Sequence, residues 1–310
     1  MNIVTPIEKS YGNVGVVLDE RVYDLNACIS KSDFADAKTC KDAKQFLALS
    51  EDKIKKSWKA VKKISSGEEY RKYSSSLEDV GLNAPIPEPG KLLCVAGNYA
   101  DHIIEGEGEY PGKEEMVPRL FLKPATSVTG HKGAIKVPKV SDWTDWEVEL
   151  AVVIGKRGRD IAPEEAGDYI AGYTIVNDIS ARELSFRKNM EEREGDEFFD
   201  WLVGKWPDTF APMGPWITTV DEINNPNNLE MKLWVNGELH QKGNSGQMIF
   251  SPGEIISYAS RFMRLEPGDV ISTGTPAGVG YAKEIKLKEG DILKCRIEKI
   301  GVLENGVEFI

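Results

Sequence analysis

Short apolar runs separated by turn residues fill the chain from residue 91 onward, and their length favours strands over helices. The predicted strands cover residues 92–96, 120–122, 147–154, 173–177, 231–235, 270–273 and 292–297. Asn236 and Gly237 predict a hairpin, because this pair accepts the positive φ angles of a type I′ turn. Ser251, Pro252 and Glu254 form a capping-box pattern, which predicts a helix that ends near residue 263. The pattern indicates a mainly β domain.

The first 84 residues have a different pattern of apolar and polar positions. Residues 11–18 predict a short strand, and the lysine-rich stretch 43–66 is compatible with helix. Three prolines then fall within residues 85–90, where they form a stiff, extended segment that suits neither a helix nor an inner strand. We therefore predict a small α+β domain over residues 1–84 and a larger domain over residues 85–310.

Composition narrows the classes of partner. The 310 residues carry a formal net charge of −11, and the sequence pI is about 5.0. Nucleic acid and anionic membranes both reward a basic surface, so we expect neither as a main partner. No apolar stretch approaches the ~20 residues that span a bilayer, and the first residues lack the basic-then-apolar order of a signal peptide. We therefore expect a cytoplasmic protein.

The cysteines and histidines indicate which atoms could hold a metal ion. Cys28, Cys40, Cys94 and Cys295 are scattered without a Cys-x-x-Cys pair, which speaks against a zinc knuckle and a disulfide framework. None of the three histidines stands in a His-x-x-x-His pair, so a histidine-rich zinc site is not expected either. Any metal in this chain must be held mainly by oxygen.

Glu147 and Glu149 stand two residues apart in a run that continues as an apolar segment to Ile154. Residues i and i+2 share one face of a strand, so both carboxylates project the same way from a segment expected to be buried. Two like charges in such a place need a cation, which a metal ion or an Arg or Lys could supply. Asp178 ends a predicted strand and could add a third carboxylate. Three carboxylates suit Mg²⁺ or Mn²⁺ and leave positions for water or substrate oxygens.

His102 and Glu105 stand at positions i and i+3, so they are neighbours on one face if the segment is helical. A carboxylate beside an imidazole orients the ring and raises its basicity, which suits a general base that activates water. The same spacing also occurs in ordinary surface pairs. Lys123 and Lys205 are single cations in apolar or aromatic settings, where they could neutralise an enolate or pack their stems on a ring.

A glycine-rich turn follows a predicted strand at residues 273–280. Its backbone N–H groups and the hydroxyl of Thr275 could meet an anion, although the turn could also be a tight strand exit.

These motifs, in this order, resemble those of the fumarylacetoacetate hydrolase family across residues 85–310. The matching segments are residues 98–102 with Glu105 (the lid-helix dyad), 121–124 (the next strand), Glu147 and Glu149 with Asp178 (the metal triad), 178–183, Gly204-Lys205 (the active-site lysine) and 273–276 (the threonine turn). The resemblance implies an α+β, mainly β fold with a flattened β-roll catalytic domain and a small N-terminal domain. It also implies bound Mg²⁺ or Mn²⁺, a homodimer, and substrate contacts from Lys123, Arg182 and Thr275.

Three positions depart from the family pattern. Ser185 stands where several relatives carry a glutamine that holds the substrate, so we expect a different substrate contact there. The charged segment 187–196 looks like an insertion and is expected to form a rim loop near the site. Gly97 stands where relatives often place a basic residue, so one anion contact is absent or supplied elsewhere.

The predicted function is metal-dependent cleavage of a 2-oxo acid. The carboxylate and keto oxygens of such an acid can both bind the metal, which stabilises the enolate formed when a neighbouring C–C bond breaks. Hydrolysis of an acylpyruvate or related β-diketo acid is the first prediction, with His102 as base, Glu105 assisting it and Lys205 offsetting charge. Decarboxylation of an oxaloacetate-like acid is the alternative. Isomerisation or hydration in aromatic or sugar-acid catabolism comes next, and an inactive metal-binding homologue remains.

Overall fold

The computed structural model describes residues 1–8, 12–32, 39–191 and 193–310. Tyr11, with which the predicted first strand begins, and Glu192 of the charged segment lie outside the described residues. Sheet dominates the described part, so the prediction of an α+β, mainly β fold is confirmed.

In its described residues, the N-terminal part combines short strands with three α-helices. Its strands are β1 (Asn2–Pro6), β2 (Gly15–Leu18), β3 (Arg21–Asp24), β4 (Ser74–Ser76) and β5 (Leu82–Asn83). Its helices are α1 (Leu25–Lys31), α2 (Ala43–Leu47) and α3 (Glu51–Ser65).

The remainder of the chain is richer in strands. They are β6 (Leu92–Ala96), β7 (Arg119–Lys123), β8 (Val128–Thr129), β9 (Ile135–Val137), β10 (Ser141–Asp145), β11 (Val148–Ile154), β12 (Ile170–Asn177), β13 (Ser180–Leu184), β14 (Ala211–Thr219), β15 (Glu230–Val235), β16 (Glu238–Asn244), β17 (Val270–Ser272), β18 (Ile292–Ile297) and β19 (Gly301–Phe309). The helices are α4 (Ala100–Glu107), α5 (Asp196–Val203) and α6 (Pro252–Phe262).

One large sheet runs through both parts of the chain. Its strand order is β4-β3-β2-β1-β14-β12-β11-β17-β6-β7, and β1 pairs antiparallel with β14 through Asn2 opposite Thr218. A second sheet has the order β16-β15-β18-β19-β9, and β10 pairs with β13. Because the N-terminal strands extend the large sheet, the two parts share a continuous backbone ladder. The domain boundary at residues 84/85 stays a prediction.

Strand β11 lies at the centre of the large sheet and is buried along its whole length. Leu150 and Val152 belong to the core that β11 shares with the second sheet. Ala151 and Val153 belong to the core that contains the N-terminal helices. Side chains alternate between the faces of a strand, so the odd-numbered Glu149 points toward the second of these cores. A carboxylate is thereby placed inside the protein.

Most elements with a clear sequence signal form where they are predicted. Strands β6, β7, β12, β15 and β18 cover the predicted runs, whereas β11 begins one residue later and β17 ends one residue earlier than predicted. The Asn236–Gly237 turn has φ angles of 51° and 85°. Helix α6 begins with both reciprocal hydrogen bonds of the capping box between Ser251 and Glu254. Within the described ranges, no helix is both long and apolar enough to cross a membrane.

Candidate active site

Three carboxylates meet at the start of β11. Glu147 immediately precedes the strand, Glu149 is its second residue, and Asp178 follows β12, the antiparallel neighbour of β11. Each residue offers one carboxylate oxygen within 4.8 Å of the others, and all three side chains are buried. The pairing of β11 with β12 thus brings together the three residues predicted as metal ligands.

Glu149 has no basic partner among the described residues. Ser272 Oγ and the Gly274 N–H both donate to its Oε2, at 2.5 and 2.9 Å. Burial, together with the nearby charges of Asp178 and Glu147, raises the pKa of Glu149 well above its ordinary range. Its other oxygen, Oε1, accepts from none of the described residues. A buried carboxylate with one free oxygen beside two other acids is what a cation would stabilise.

Glu147 and Asp178 are paired with lysines instead. Lys205 Nζ lies 3.1 Å from both carboxylate oxygens of Glu147 and 2.7 Å from Asp178 Oδ2. Lys123 Nζ donates to Asp178 Oδ1 at 2.5 Å and to the Ile179 carbonyl at 3.0 Å. Burial alone would raise the pKa of Glu147, but the nearby positive charges outweigh burial and lower it. Both lysines therefore hold carboxylates of the triad in place.

Arg182 connects the triad to a fourth buried acid. Its guanidinium contacts Glu147 Oε1 and lies 3.0 Å from Asp145 Oδ2. Asp145 is fully buried and also accepts from the Gly280 N–H at 2.6 Å and the Tyr281 N–H at 3.2 Å. Burial is the largest effect on Asp145 and raises its pKa. Asp145 thus ties Arg182 to the turn that closes one side of the site.

The predicted dyad forms on helix α4. His102 Nδ1 lies 2.8 Å from Glu105 Oε1, and Glu105 Oε2 accepts from the Gly278 N–H at 2.8 Å. Gly278 has a φ of +106°, and a Cβ there would lie 2.3 Å from the His240 carbonyl oxygen. Only glycine fits this close approach, so the turn and the dyad depend on each other.

Thr275 lies in the same turn, but its hydroxyl is already engaged. Its Oγ1 donates to the Val148 carbonyl at 2.9 Å and accepts from Gln241 Nε2 at 2.8 Å. The expectation of a free hydroxyl donor is therefore wrong, because the turn uses that proton to close onto β11. Thr275 still reaches the cavity wall.

A cavity of about 670 Å³ opens beside these groups. Six of the ten predicted site residues line it: His102, Glu105, Glu147, Arg182, Lys205 and Thr275. Glu149 and Asp178 are not among its lining residues, and Lys123 lies behind Asp178. Ser185 is not brought to the cavity either; its backbone N–H donates to the Val140 carbonyl at 2.8 Å.

The family model described as fumarylacetoacetate (FAA) hydrolase C-terminal matches residues 91–308. The chain belongs to the fumarylacetoacetate hydrolase family. Its match covers every residue of the triad and dyad.

Relatives within the family differ in reaction. A mitochondrial oxaloacetate tautomerase of Xenopus laevis is 40% identical over 250 residues, which are 80% of this chain and 75% of the relative. Maleylpyruvate hydrolase from Sphingobium sp. SYK-6, solved with manganese (II) ion and pyruvate, is similar with a TM-score of 0.75 and 28% identity over 100% of this chain and 99% of its own. A 2-hydroxyhepta-2,4-diene-1,7-dioate isomerase from Mycobacterium marinum is 37% identical with a TM-score of 0.63 over 76% of this chain and 81% of its own.

Some residues of this family member's site are not predicted from the sequence. Asp145 stands two positions before Glu147, so the same i, i+2 spacing that pairs Glu147 with Glu149 also indicates Asp145. Ser272 and Gly274 carry no such signal, because they reach Glu149 only through the pairing of β17 with β11. The aromatic residues Phe198 and Trp201 of α5 also line the cavity.

Proposed function

We propose that this protein is a divalent-metal-dependent enzyme that transfers protons at the enolisable carbon of a 2-oxo acid. Tautomerisation of oxaloacetate is its first candidate reaction. The observation that carries the proposal is the His102–Glu105 pair on a cavity that Glu147, Lys205 and Arg182 also line. The mitochondrial oxaloacetate tautomerase of Xenopus laevis, 40% identical, supports this choice.

Glu147, Glu149 and Asp178 would hold the metal ion. Their hard oxygen donors and the free Oε1 of Glu149 fit Mg²⁺ or Mn²⁺. The manganese (II) ion named in the Sphingobium hydrolase structure supports the choice of a divalent metal. A bound ion would act as a Lewis acid that polarises the keto group of the substrate.

The protein side chains would perform the proton transfer. Glu105 holds Nδ1 of His102, so the other ring nitrogen of His102 is the one available to take a proton from the carbon next to the keto group. Lys205 and Arg182 would offset the negative charge that develops on the substrate oxygens. The backbone donor of Gly278 would keep Glu105 aligned throughout.

Hydrolysis of an acylpyruvate is the second candidate. It is favoured by the match along 100% of this chain to the maleylpyruvate hydrolase from Sphingobium. In this reaction His102 would take its proton from water, which then attacks the distal carbonyl. Decarboxylation of oxaloacetate uses the same enolate but needs no base, so it gives the dyad no role.

One set of assays separates these reactions. Protein freed of metal with a chelator and reloaded with Mg²⁺ or Mn²⁺ is given oxaloacetate and acetylpyruvate. Loss of the enol absorbance without release of CO₂ indicates tautomerisation, release of CO₂ indicates decarboxylation, and consumption of acetylpyruvate indicates hydrolysis. Replacement of His102 by Asn should abolish the first and third activities. Metal-loaded protein that accelerates none of these reactions would contradict the proposal.

The homodimer and the cytoplasmic location stay predictions. The dimer rests on resemblance to the family, and light scattering at several protein concentrations tests it. The cytoplasmic location is not supported by the Xenopus relative, which is named as mitochondrial. Fractionation of cells that produce the protein decides between the two compartments.

A further inference from the structure

Helix α5 presents an aromatic face to the cavity. Phe198 and Trp201 stand three residues apart, so they lie on one face of the helix, and both line the cavity. Their rings are stacked, with centroids 6.0 Å apart and 29° between the planes. Trp201 also packs edge-on against Phe121, another lining residue, with centroids 4.9 Å apart. We name the continuous surface of Phe121, Trp201 and Phe198 the aromatic wall.

The aromatic wall extends from the charged end of the cavity to its mouth. Lys205 Nζ lies 5.3 Å from the ring centroid of Phe121 and 5.7 Å from that of Trp201. At the other end, Phe198 is 58% exposed. An acid whose carboxylate and keto groups lie near Lys205 and Arg182 would therefore direct the rest of its skeleton along the wall.

The cavity is larger than a four-carbon acid requires. Its volume of about 670 Å³ falls in the range of ~300–1,000 Å³ that is typical of pockets for drug-sized ligands. Oxaloacetate would fill only the charged end. Besides the charged groups, the lining includes the apolar side chains of Ile103, Leu120 and Val279, together with Arg119. Apolar surface of this kind contributes binding energy only when an apolar group covers it.

The charged segment that precedes α5 anchors the aromatic wall. Arg187 Nη1 lies 2.9 Å from Asp196 Oδ2, and Arg187 Nη2 lies 2.7 Å from Asp200 Oδ1. The two acids stand four residues apart on α5, on a different face from Phe198 and Trp201. The anchored helix can present its rings in one orientation before any ligand arrives, which lowers the entropy cost of binding.

We propose that the aromatic wall selects 2-oxo acids that carry a planar apolar group, unsaturated or aromatic, beyond the keto carbon, in preference to short 2-oxo acids. The selection rests on the general part of the proposed function, proton transfer on a 2-oxo acid held at the charged end of the cavity, and it ranks oxaloacetate below longer acids as a substrate. Phe198 is the specificity residue at the mouth, and Trp201 links it to the reacting end.

Matched substrates and a matched control variant test the proposal. Acetylpyruvate and benzoylpyruvate differ only in the group that would meet the wall, as do pyruvate and phenylpyruvate. Phe198→Ala should lower kcat/KM for benzoylpyruvate roughly tenfold, chiefly through KM, because about half of a phenylalanine's apolar surface is lost from the contact. Turnover of acetylpyruvate should change less than twofold.

Phe199 provides the control. It is 59% exposed on the same helix and does not line the cavity, but its ring packs edge-on against Phe198 with centroids 5.5 Å apart. The control is therefore Phe199→Leu, which keeps an apolar side chain beside Phe198 and should change kcat/KM for neither substrate. Equal effects of the two variants would overturn the proposal and indicate a subunit contact across α5. An unchanged preference in Phe198→Ala would overturn it as well.

A binding measurement separates this proposal from the proposed function. Calorimetry with metal-loaded protein should give a Kd for phenylpyruvate at least tenfold lower than that for pyruvate, and Phe198→Ala should remove most of the difference. If this result holds while no substrate is turned over, the proposed function is contradicted, but the proposed selection by the aromatic wall is supported. Equal affinities for phenylpyruvate and pyruvate would contradict the proposed selection by the aromatic wall, even if the enzyme is active.

Discussion

Replacement of Glu149 by glutamine should stabilise the metal-free protein while it abolishes metal binding. Both hydrogen bonds to Glu149 fall on Oε2, so the glutamine carbonyl oxygen can accept from Ser272 and Gly274 as before. The glutamine NH₂ group then occupies the position of Oε1, beside the other two carboxylates. A negative charge without a basic partner is replaced by a neutral donor.

The size of the effect follows from the pKa of Glu149. Burial and the two neighbouring acids raise this pKa well above the ordinary value of 4.5, so the folded, metal-free protein binds a proton there more readily than the unfolded chain. The stability that this proton binding contributes to the folded protein is lost as the pH rises from about 4.5 toward the raised pKa. At pH 7 this loss of stability cannot exceed the free energy needed to protonate a glutamate of ordinary pKa, which is about 3 kcal/mol. We expect a gain of about 1–3 kcal/mol for the variant at pH 7 and none at pH 4.

Thermal unfolding with a chelator, and again with saturating Mn²⁺, measures both effects. Ligand at a hundred times its Kd stabilises a protein by ~2.7 kcal/mol, so Mn²⁺ should raise the Tm of the wild type and not that of Glu149→Gln. Glu147→Gln is the matched control. Glu147 is paired with Lys205 and Arg182, so its loss should destabilise the metal-free protein by about 2–4 kcal/mol. The reasoning is refuted if Glu149→Gln melts below the wild type without metal, or if it still binds one equivalent of Mn²⁺.

Three further predictions concern the dyad, the glycine-rich turn and Ser185. His102→Asn should lower kcat by ~10²–10⁴-fold with little change in Mn²⁺ affinity; steady-state kinetics and calorimetry check this, and an unchanged kcat would exclude the base. Gly278→Ala should lower the Tm, because the added Cβ would clash with the His240 carbonyl. It should also lower kcat by more than tenfold, because the N–H that holds Glu105 would move. Ser185→Ala should change kcat/KM less than twofold, since Ser185 does not line the cavity; a large loss would place it at the substrate after all.

The fold is predicted where a run of side chains alone decides the element. β11 and β12 are such runs, because both of their faces are buried and nearly every position is apolar. β14 is not predicted, because Pro212 and Pro215 argue against an inner strand, yet the strand lies between β1 and β12. β19 contains Asn305 and Gly306, which favour a turn. β14 depends on pairing partners that are distant in sequence, whereas β19 pairs with β18 directly before it and with the distant β9.

The site is predicted to the extent that its spacing is local. Glu147 and Glu149 stand two positions apart at the start of β11, and His102 and Glu105 stand three positions apart on α4, so both pairs can be inferred from the period of the element. The part played by Lys123 is not local. It lies next to Asp178, 55 residues away in sequence, and supports a ligand rather than lining the cavity. Arg182 is likewise held by Asp145 and Glu147 across the β10–β13 pairing.

The charges of the buried cluster explain how lysines and a metal ion can share one site. Four acids, Asp145, Glu147, Glu149 and Asp178, face three bases, Lys123, Lys205 and Arg182. With Glu149 ionised the excess is one negative charge, and Glu149 is the acid without a basic partner among the described residues. A divalent ion at Glu149 would reverse the sign of the whole cluster, so that an anionic 2-oxo acid is attracted only when the metal is present. The bases therefore do not compete with the ion: they neutralise its other ligands, so that one added cation suffices to make the site receptive to an acid.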